Sequence, residues 1–308
     1  MGSKYALQLQ NLTKKIGRTT IIDDITLNIP KGEVFGLLGP NGSGKTTMIR
    51  MMAGLMKITK GEIFIHGINI KKDFEGAIKH VGAIVENPEL YKFLTGYQNL
   101  QHYARMVPGI SEERIKEAAS LVKLDQRIYD KVDTYSLGMR QRLGVAQALL
   151  HRPSVLILDE PTNGLDPAGI RELRDYLRHL TDTEGTTVVV SSHMLLEMEL
   201  LCDRLAIIRN GRLLDEGHIK DLIHSDDQVP VRFNVDDKSR IHDILSQVNS
   251  KAKYKQIMDG FEITLSKEEI AVVNAALVAN GIKVYGINPV TKTLEDSFLQ
   301  ITGDGEDE

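Results

Sequence analysis

The stretch GLLGPNGSGKTTMIRMM, residues 36–52, decides the fold of this chain. Its spacing G-x-x-x-x-G-K-T, from Gly39 to Thr46, is that of a phosphate-binding P-loop, or Walker A motif. Glycines in such a loop let successive backbone N–H groups turn around phosphate oxygens, while the lysine reaches the terminal phosphates and the threonine hydroxyl binds Mg²⁺. The residues predicted to contact phosphate are Gly39, Pro40, Asn41, Gly42, Ser43, Gly44, Lys45, Thr46 and Thr47. An ordinary glycine-rich turn is the alternative interpretation.

The residues on either side of the loop favour phosphate binding. Residues 33–38 are mostly apolar and predict a buried strand, and residues 46–55 predict a helix. The side chains of that helix predicted to face the core are Met48, Ile49, Met52 and Leu55. The positive end of the helix dipole would point at the same anion as the loop. Strand, loop and helix are therefore the expected order.

Composition limits the classes of protein to which the chain can belong. Its 308 residues leave room for about two domains, and 42% apolar with 26% charged residues is typical of a soluble protein. The formal net charge of −4 argues against a dedicated nucleic-acid binder, so no nucleic-acid partner is predicted. The single cysteine, Cys202, excludes an internal disulfide and any multi-cysteine metal site, and its apolar surroundings predict a packing role.

No apolar run approaches the roughly 18 residues that a membrane span requires. We therefore expect a chain that is soluble by itself and lies in the cytoplasm. If it works at a membrane, another polypeptide must provide the spanning segments.

The patterning of residues 1–225 predicts an α/β domain. Two half-exposed strands of antiparallel type come first, and a helical insert is expected over about residues 88–150, with a helix beginning at Ser111. The runs SVLIL, TTVVVSS and RLAII are continuous and apolar, as in the buried strands of a parallel sheet. The prediction is a P-loop α/β core with an antiparallel β subdomain and a helical insert.

The pattern changes after residue 225. Residues 226–303 predict a small α+β domain of strands and helices, in which Ser266 and Glu269 form a helix capping box. Residues 304–308 predict a solvated acidic tail. This second domain carries no recognisable chemical motif, and a packing or dimer-stabilising role is the simplest interpretation of it.

Two carboxylates follow the apolar strand in SVLILDEP. Neighbouring side chains on a strand point to opposite sides, so Asp159 and Glu160 are predicted to have different roles. One carboxylate beside a nucleotide would coordinate Mg²⁺, and the other would orient or deprotonate the attacking water. A solvated acidic turn is the alternative.

At this point the chain resembles the ATP-binding cassette (ABC) ATPases, and the resemblance covers residues 7–222. By this resemblance Asp159 is the Walker B aspartate and Glu160 the catalytic glutamate. The segment YSLGM, residues 135–139, stands where the family has its signature motif, which implies that Ser136 and Gly138 contact a γ-phosphate from the start of a helix. Two further positions match the family's D-loop aspartate and its switch histidine, which also contacts the γ-phosphate: Asp166 and His193.

Two positions depart from the family's pattern. Glu86 replaces the usual Q-loop glutamine, and a carboxylate there can still bind Mg²⁺ but repels the γ-phosphate when the metal is absent. Ile16 stands where many relatives have an aromatic residue that stacks on adenine. The resemblance favours ATP as the nucleotide, while the residues leave GTP open.

The motifs are most similar to cassettes of the bacterial bacitracin-resistance and lantibiotic-immunity type. This implies an ATPase with Mg²⁺ as cofactor, peripheral on the inner face of the cell membrane and paired with a separate transmembrane permease. It also implies a second cassette, identical or closely related, docked head to tail so that ATP lies between Lys45 of one chain and Ser136 of the other. Export of a peptide antibiotic, drug or lipid-like substrate is the expected function.

Two other functions stay open on the residues. One is a soluble ABC ATPase of translation or DNA maintenance, although such proteins usually have two cassettes per chain or long coiled-coil insertions. The other is a regulatory module that holds ATP without turnover, which the carboxylates and the histidine oppose. The aromatic stretch after Glu86 either docks the permease or packs the insert; its apolar residues are Tyr91, Phe93, Leu94 and Tyr97.

Overall fold

The computed structural model describes residues 4–223, 228–248 and 254–289. The chain divides into two compact units, Met1–Ile219 and Lys220–Glu308. The predicted domain boundary after residue 225 and the predicted acidic tail lie outside the described residues, so both stay predictions. None of the helices that the structure describes has the length and apolar character of a bilayer-spanning helix.

The first unit alternates strands and helices along most of its length. Its strands are β1 (Tyr5–Ile16), β2 (Thr19–Pro30), β3 (Val34–Leu38), β4 (Lys60–Ile65), β5 (Ile68–Asn69), β6 (Val81–Ile84), β7 (Val155–Leu158), β8 (Thr187–Ser192), β9 (Arg204–Arg209) and β10 (Arg212–His218). Its helices are α1 (Lys45–Met52), α2 (Phe74–Ile78), α3 (Gly96–Ala104), α4 (Glu112–Leu121), α5 (Leu137–Leu149), α6 (Pro167–Glu184) and α7 (Leu195–Leu201). A short helix, α8 (Ile219–Ile223), follows β10.

A six-stranded sheet of order β10-β9-β3-β8-β7-β6 forms the centre of this unit. Neighbouring strands are parallel except β10, which pairs antiparallel with β9 at one edge. Every residue of β3, β7 and β8 is buried, because continuous apolar runs suit strands that are covered on both faces. The predicted buried parallel sheet is confirmed. The carboxyl ends of these three strands lie side by side, which is where open α/β sheets bind ligands.

One apolar core joins α1 to the central sheet and to a second, antiparallel sheet of order β2-β1-β4-β5. Met48, Ile49 and Met52 are buried in this core, as predicted. The prediction for Leu55 is wrong: α1 ends at Met52, the chain turns at Gly54 with φ of 73°, and Leu55 is 68% exposed. The well-packed α1 gives the P-loop a rigid support.

The helical insert contains α3, α4 and α5. Ser111 caps α4 by accepting the Arg114 N–H at 3.3 Å, which confirms the predicted helix start. The loop before α3 is held by the buried side chain of Asn99, which accepts the Tyr91 N–H at 2.9 Å and donates to the Tyr91 carbonyl at 3.1 Å. The aromatic stretch therefore starts from a fixed backbone position.

The second unit is a β-α-β-β-α-β arrangement of the ferredoxin-like kind. Its elements are β11 (Gln228–Val235), α9 (Ile241–Val248), β12 (Tyr254–Ile257), β13 (Gly260–Ser266), α10 (Lys267–Ala279) and β14 (Val284–Pro289). The sheet has the order β12-β13-β11-β14, all antiparallel, and the predicted capping box of Ser266 and Glu269 at the start of α10 is confirmed. Strand β12 is not predicted by the sequence, because it is a short edge strand whose central residues are polar.

Candidate active site

The P-loop connects the end of β3 to the start of α1, and its glycines are required by their surroundings. A Cβ on Gly39 would lie 2.1 Å from the Ile208 carbonyl oxygen, and Gly44 has φ of 109°, a conformation that side chains disfavour. No side chain caps the N-terminus of α1. Among the described residues, the buried Ser43 hydroxyl has no hydrogen-bond partner. Free polar groups at a helix N-terminus fit a phosphate.

Lys45 is the first residue of α1 and is almost fully buried, with 5% of its surface exposed. Its ammonium group donates to the carbonyl oxygens of Gly39 and Pro40, at 2.7 and 3.3 Å. The same group lies 3.5 Å from Oε1 of Glu160. A buried cation among P-loop carbonyls can attract a polyanion, and its contact with Glu160 links the loop to the end of β7.

Glu160 adopts a left-handed backbone conformation just beyond β7, with φ of 48°. The prediction that strand alternation separates it from Asp159 is wrong in its cause, because the strand ends at Leu158. The sharp turn achieves the separation instead. Strained non-glycine residues of this kind cluster at functional sites. The carboxylate of Glu160 then lies 3.0 Å from Nδ1 of His193, which stands just after β8.

Asp159 is buried and points to a different partner. Its Oδ1 accepts a hydrogen bond from the Ser191 hydroxyl at 2.6 Å. The Ser191 hydroxyl in turn accepts the Glu160 backbone N–H at 2.9 Å. Ser191 therefore fixes both carboxylate residues. No motif predicts this role; the only indication in the sequence is that two serines, Ser191 and Ser192, end an otherwise apolar strand.

The phosphate pocket, about 410 Å³ in volume, collects most of the P-loop prediction in one place. It is lined by Ile21, Asn41, Gly42, Gly44, Lys45, Thr46, Thr47, Glu160, Asn163 and His193. A cation, a hydroxyl, a carboxylate and an imidazole thus surround one space, and such groups can bind phosphates and orient an attacking water.

A second cavity of about 360 Å³, the signature cavity, lies beside the start of α5. The predicted site residues that line it are Glu86, Ser136, Gly138, Asp159 and Asp166. Ser136 caps α5 by accepting the Met139 N–H at 3.2 Å, so the predicted helix start at this serine is confirmed. Within one chain, Ser136 and Lys45 line different cavities.

Two predicted site residues, Asp166 and Glu86, make contacts that their motifs do not predict, and a third, Ile16, is exposed. Asp166 caps α6 by accepting the Gly169 N–H at 2.8 Å. Glu86 has φ of 65° and its carboxylate pairs with the guanidinium of Arg50, in the last turn of α1. Ile16 ends β1 and is 52% exposed. Their predicted roles toward Mg²⁺, water or adenine stay predictions.

The residues present suit a magnesium ion held together with a nucleotide. Within the part of the chain that the structure describes, no cluster of three or more acidic, histidine or cysteine residues could hold a metal by itself. Mg²⁺ in nucleotide sites is bound by one or two protein oxygens, and substrate phosphates and waters supply the rest. The Thr46 hydroxyl is a donor of that kind in the phosphate pocket. The Asp159 carboxylate, which lines the signature cavity, is a second one and is joined to Glu160 through Ser191.

Cys202 follows α7 and is buried against the Met198 sulfur, 3.7 Å away. Burial, followed by the negative charge of Asp203, raises the pKa of its thiol far above the ordinary value. A thiol that stays protonated at neutral pH is a poor nucleophile. The packing role predicted for this cysteine agrees with its surroundings.

Comparison with known proteins gives concordant similarities. The family model described as ABC transporter matches residues 22–163. The chain is 55% identical to the uncharacterized ABC transporter ATP-binding protein YhcH of Bacillus subtilis (strain 168), over 99% of this chain and 98% of the relative. It is 38% identical to the bacitracin transport ATP-binding protein BcrA of Enterococcus faecalis, over 98% of each. The solved dimeric structure of a post-hydrolysis state of the ATP-binding cassette MJ0796, bound to ADP and Pi, matches with a TM-score of 0.62 at 28% identity, over 69% of this chain and 98% of that one.

Proposed function

The chain belongs to the ATP-binding subunits of the ABC transporters, which are ATPases, and we propose from this premise that it powers export of a peptide antibiotic or a similar drug or lipid-like molecule. A separate membrane subunit would provide the path. The assignment of a peptide substrate rests on the relative BcrA, whose name describes bacitracin transport. Transport is favoured over a role in translation or DNA maintenance because the named relatives are transport subunits.

The observation that carries the catalytic proposal is the meeting of Lys45, Glu160 and His193 in the phosphate pocket. In this proposal Lys45 binds the terminal phosphates, and the Glu160 carboxylate orients the attacking water and accepts its proton. His193 holds Glu160 through Nδ1 and contacts the γ-phosphate from the same side. Thr46 and Asp159 would hold Mg²⁺, which would neutralise phosphate charge.

The two separate cavities support a head-to-tail pair of chains. Helix α5 has thirteen residues, and its N-terminus, capped by Ser136, suits an anion. Ser136 nevertheless lines a different cavity from Lys45. We propose that the α5 N-terminus of one chain binds the γ-phosphate held by the P-loop of another. The nucleotide would then join the two chains, and hydrolysis would release them.

We further propose that the exposed aromatics after Glu86 dock the membrane subunit on the cytoplasmic side. Phe93 is 71% exposed and Tyr91 is 43% exposed, with their ring centroids 5.9 Å apart. Leu94 and Tyr97 are half-buried, so they suit packing of the insert. Exposed aromatics are enriched at protein interfaces. The docking and packing interpretations thus apply to different residues of the same stretch.

Phe93→Glu is expected to abolish assembly with the membrane subunit while leaving the ATPase activity of the isolated chain within about twofold, since surface substitutions away from the site have small effects. The measurement is co-purification of a polytopic membrane protein with the tagged chain from detergent-solubilised membranes. Leu214→Glu is the matched control, because Leu214 is also exposed but lies on β10, at the opposite edge of the central sheet from β6. Equal recovery of the membrane protein with both variants would contradict docking through Phe93.

Glu86→Gln is expected to flatten the dependence of ATPase activity on Mg²⁺ concentration. A carboxylate near the γ-phosphate raises the need for the metal, and Arg50 offsets part of its charge. Because both side chains are exposed, the half-saturating Mg²⁺ concentration should shift by at most about fivefold. Activity is measured across a Mg²⁺ titration at fixed ATP, with Glu89→Gln as the control in the same loop. Superimposable curves for wild type and Glu86→Gln would remove Glu86 from the metal site.

A further inference from the structure

A buried carboxylate on α7 is not explained by any motif. Glu197 is 8% exposed, and its Oε2 accepts two hydrogen bonds, from the Thr162 hydroxyl at 2.5 Å and from the Ser192 hydroxyl at 3.0 Å. Within the described ranges, no cation lies within salt-bridge distance of it. A buried carboxylate without a cation is costly, so packing alone would favour a neutral or apolar residue at this position.

One hydroxyl belongs to the loop that carries Glu160, and the other to the last residue of β8, next to His193. Thr162 is two residues after Glu160, in the turn where the Asn163 N–H binds the Glu160 carbonyl at 3.2 Å. Ser192 immediately precedes His193, and its hydroxyl also accepts the Met194 N–H at 3.0 Å. The single carboxylate oxygen of Glu197 therefore joins the loop after β7 to the end of β8, where Ser192 also holds the first residues of the next loop.

The two consecutive serines at the end of β8 bind different partners. Neighbours on a strand point to opposite faces, so Ser191 faces Asp159 and the Glu160 N–H, whereas Ser192 faces Glu197. Both are fully buried. The backbone of Glu160 is thus held from one side by Ser191, and the loop that follows Glu160 is held from the other side through Thr162.

We propose that Glu197 is a positioning residue for ATP hydrolysis: its charge fixes the two loops so that His193 Nδ1 and Glu160 Oε2 keep their 3.0 Å contact. The inference rests on the proposed hydrolytic function of that pair. Hydrogen bonds to a charged acceptor are about twice as strong as those to a neutral one, so an amide of the same shape holds the loops less firmly. Small misplacements of a reacting group lower turnover strongly.

The test compares Glu197→Gln with Glu199→Gln, an exposed glutamate on the same helix. We expect Glu197→Gln to lower kcat about tenfold or more, with KM and the Kd for ATP unchanged, because the P-loop is not touched. Glu199→Gln should keep the wild-type kcat. Equal kcat for the two variants would overturn the proposal, as would a parallel loss of ATP binding and of Tm that indicates a purely structural role.

A double-variant cycle adds a second, independent measurement. If Ser192 and Glu197 act through their shared contact, Ser192→Ala and Glu197→Gln each lower kcat, and the loss in the double variant is smaller than the product of the two single losses. If the two single losses of kcat multiply in the double variant, Ser192 and Glu197 do not act through a shared contact. Wild-type activity is measured first: an inactive wild-type chain rejects the proposed hydrolysis, whereas an active wild type with a normal Glu197→Gln rejects only the positioning role.

Discussion

Glu160→Gln is expected to lower the rate of ATP hydrolysis by about 10²–10⁴-fold while ATP still binds. The amide keeps the shape of the side chain but cannot accept the proton of the attacking water. The P-loop groups that hold phosphate, Lys45 among them, do not depend on that proton. Because hydrolysis is proposed to release the two chains, the variant should also accumulate as an ATP-bound dimer, which gel filtration with ATP and Mg²⁺ detects alongside phosphate release.

The control for Glu160→Gln is Glu75→Gln, an exposed glutamate in the first turn of α2. It removes the same charge from the same unit and should hydrolyse ATP at the wild-type rate. Near-normal turnover of Glu160→Gln would require another base. Loss of ATP binding would instead show that the 3.5 Å contact with Lys45 holds the P-loop together. The regulatory interpretation, in which the chain holds nucleotide without turnover, would be favoured instead if wild type bound ATP but did not hydrolyse it.

The second prediction uses two inactive variants that restore one another. Lys45→Ala removes the phosphate-binding cation, and Ser136→Asp places a negative charge where the γ-phosphate of the other chain is proposed to lie. Aspartate is as good a helix cap as serine, so α5 keeps its start. Each variant alone should lose at least about 99% of the ATPase activity. In a mixture, half of the pairs combine one chain of each kind, and each such pair keeps one intact site.

The mixture should therefore recover about a quarter of the wild-type activity if the two sites act independently, since a two-fold head-to-tail pair has two equivalent sites. Ser136→Asn is the control for the added charge, because asparagine caps a helix equally well and should stay active. Lys45→Ala mixed with Glu160→Gln is the control for the arrangement, because each of the two sites in a mixed pair then carries one fault and no activity should return. A mixture of Lys45→Ala and Ser136→Asp that stays inactive would contradict the head-to-tail site.

Features encoded by short-range physical chemistry were predictable from the sequence. The spacing of the P-loop, the caps at Ser111, Ser136 and Ser266, and the apolar runs of the parallel sheet all depend on neighbouring residues, and the structure confirms them. The resemblance to ABC ATPases rests on the order of such local motifs, and the comparisons confirm it as well.

Features that depend on contacts between distant segments were not predictable. The left-handed turn at Glu160 is set by where β7 stops pairing, and strand alternation gave the wrong reason for the separation of the two carboxylates. Ser191 and Glu197 acquire their roles only because β8 and α7 fold against the loop after β7. The burial predicted for Leu55 was wrong because helical periodicity does not indicate where α1 ends.

Helix α1 links two places that the motifs treat as separate. Its first residue, Lys45, belongs to the phosphate pocket, and Arg50, in its last turn, grips Glu86 at the entrance to the aromatic loop. Eight residues of helix span about 12 Å as one rigid element, so α1 and its ion pair connect the nucleotide end to the loop of Phe93. The joint at the far end is an exposed ion pair that salt screens. Raising the ionic strength should therefore loosen the coupling between ATP turnover and the membrane subunit before it affects turnover itself.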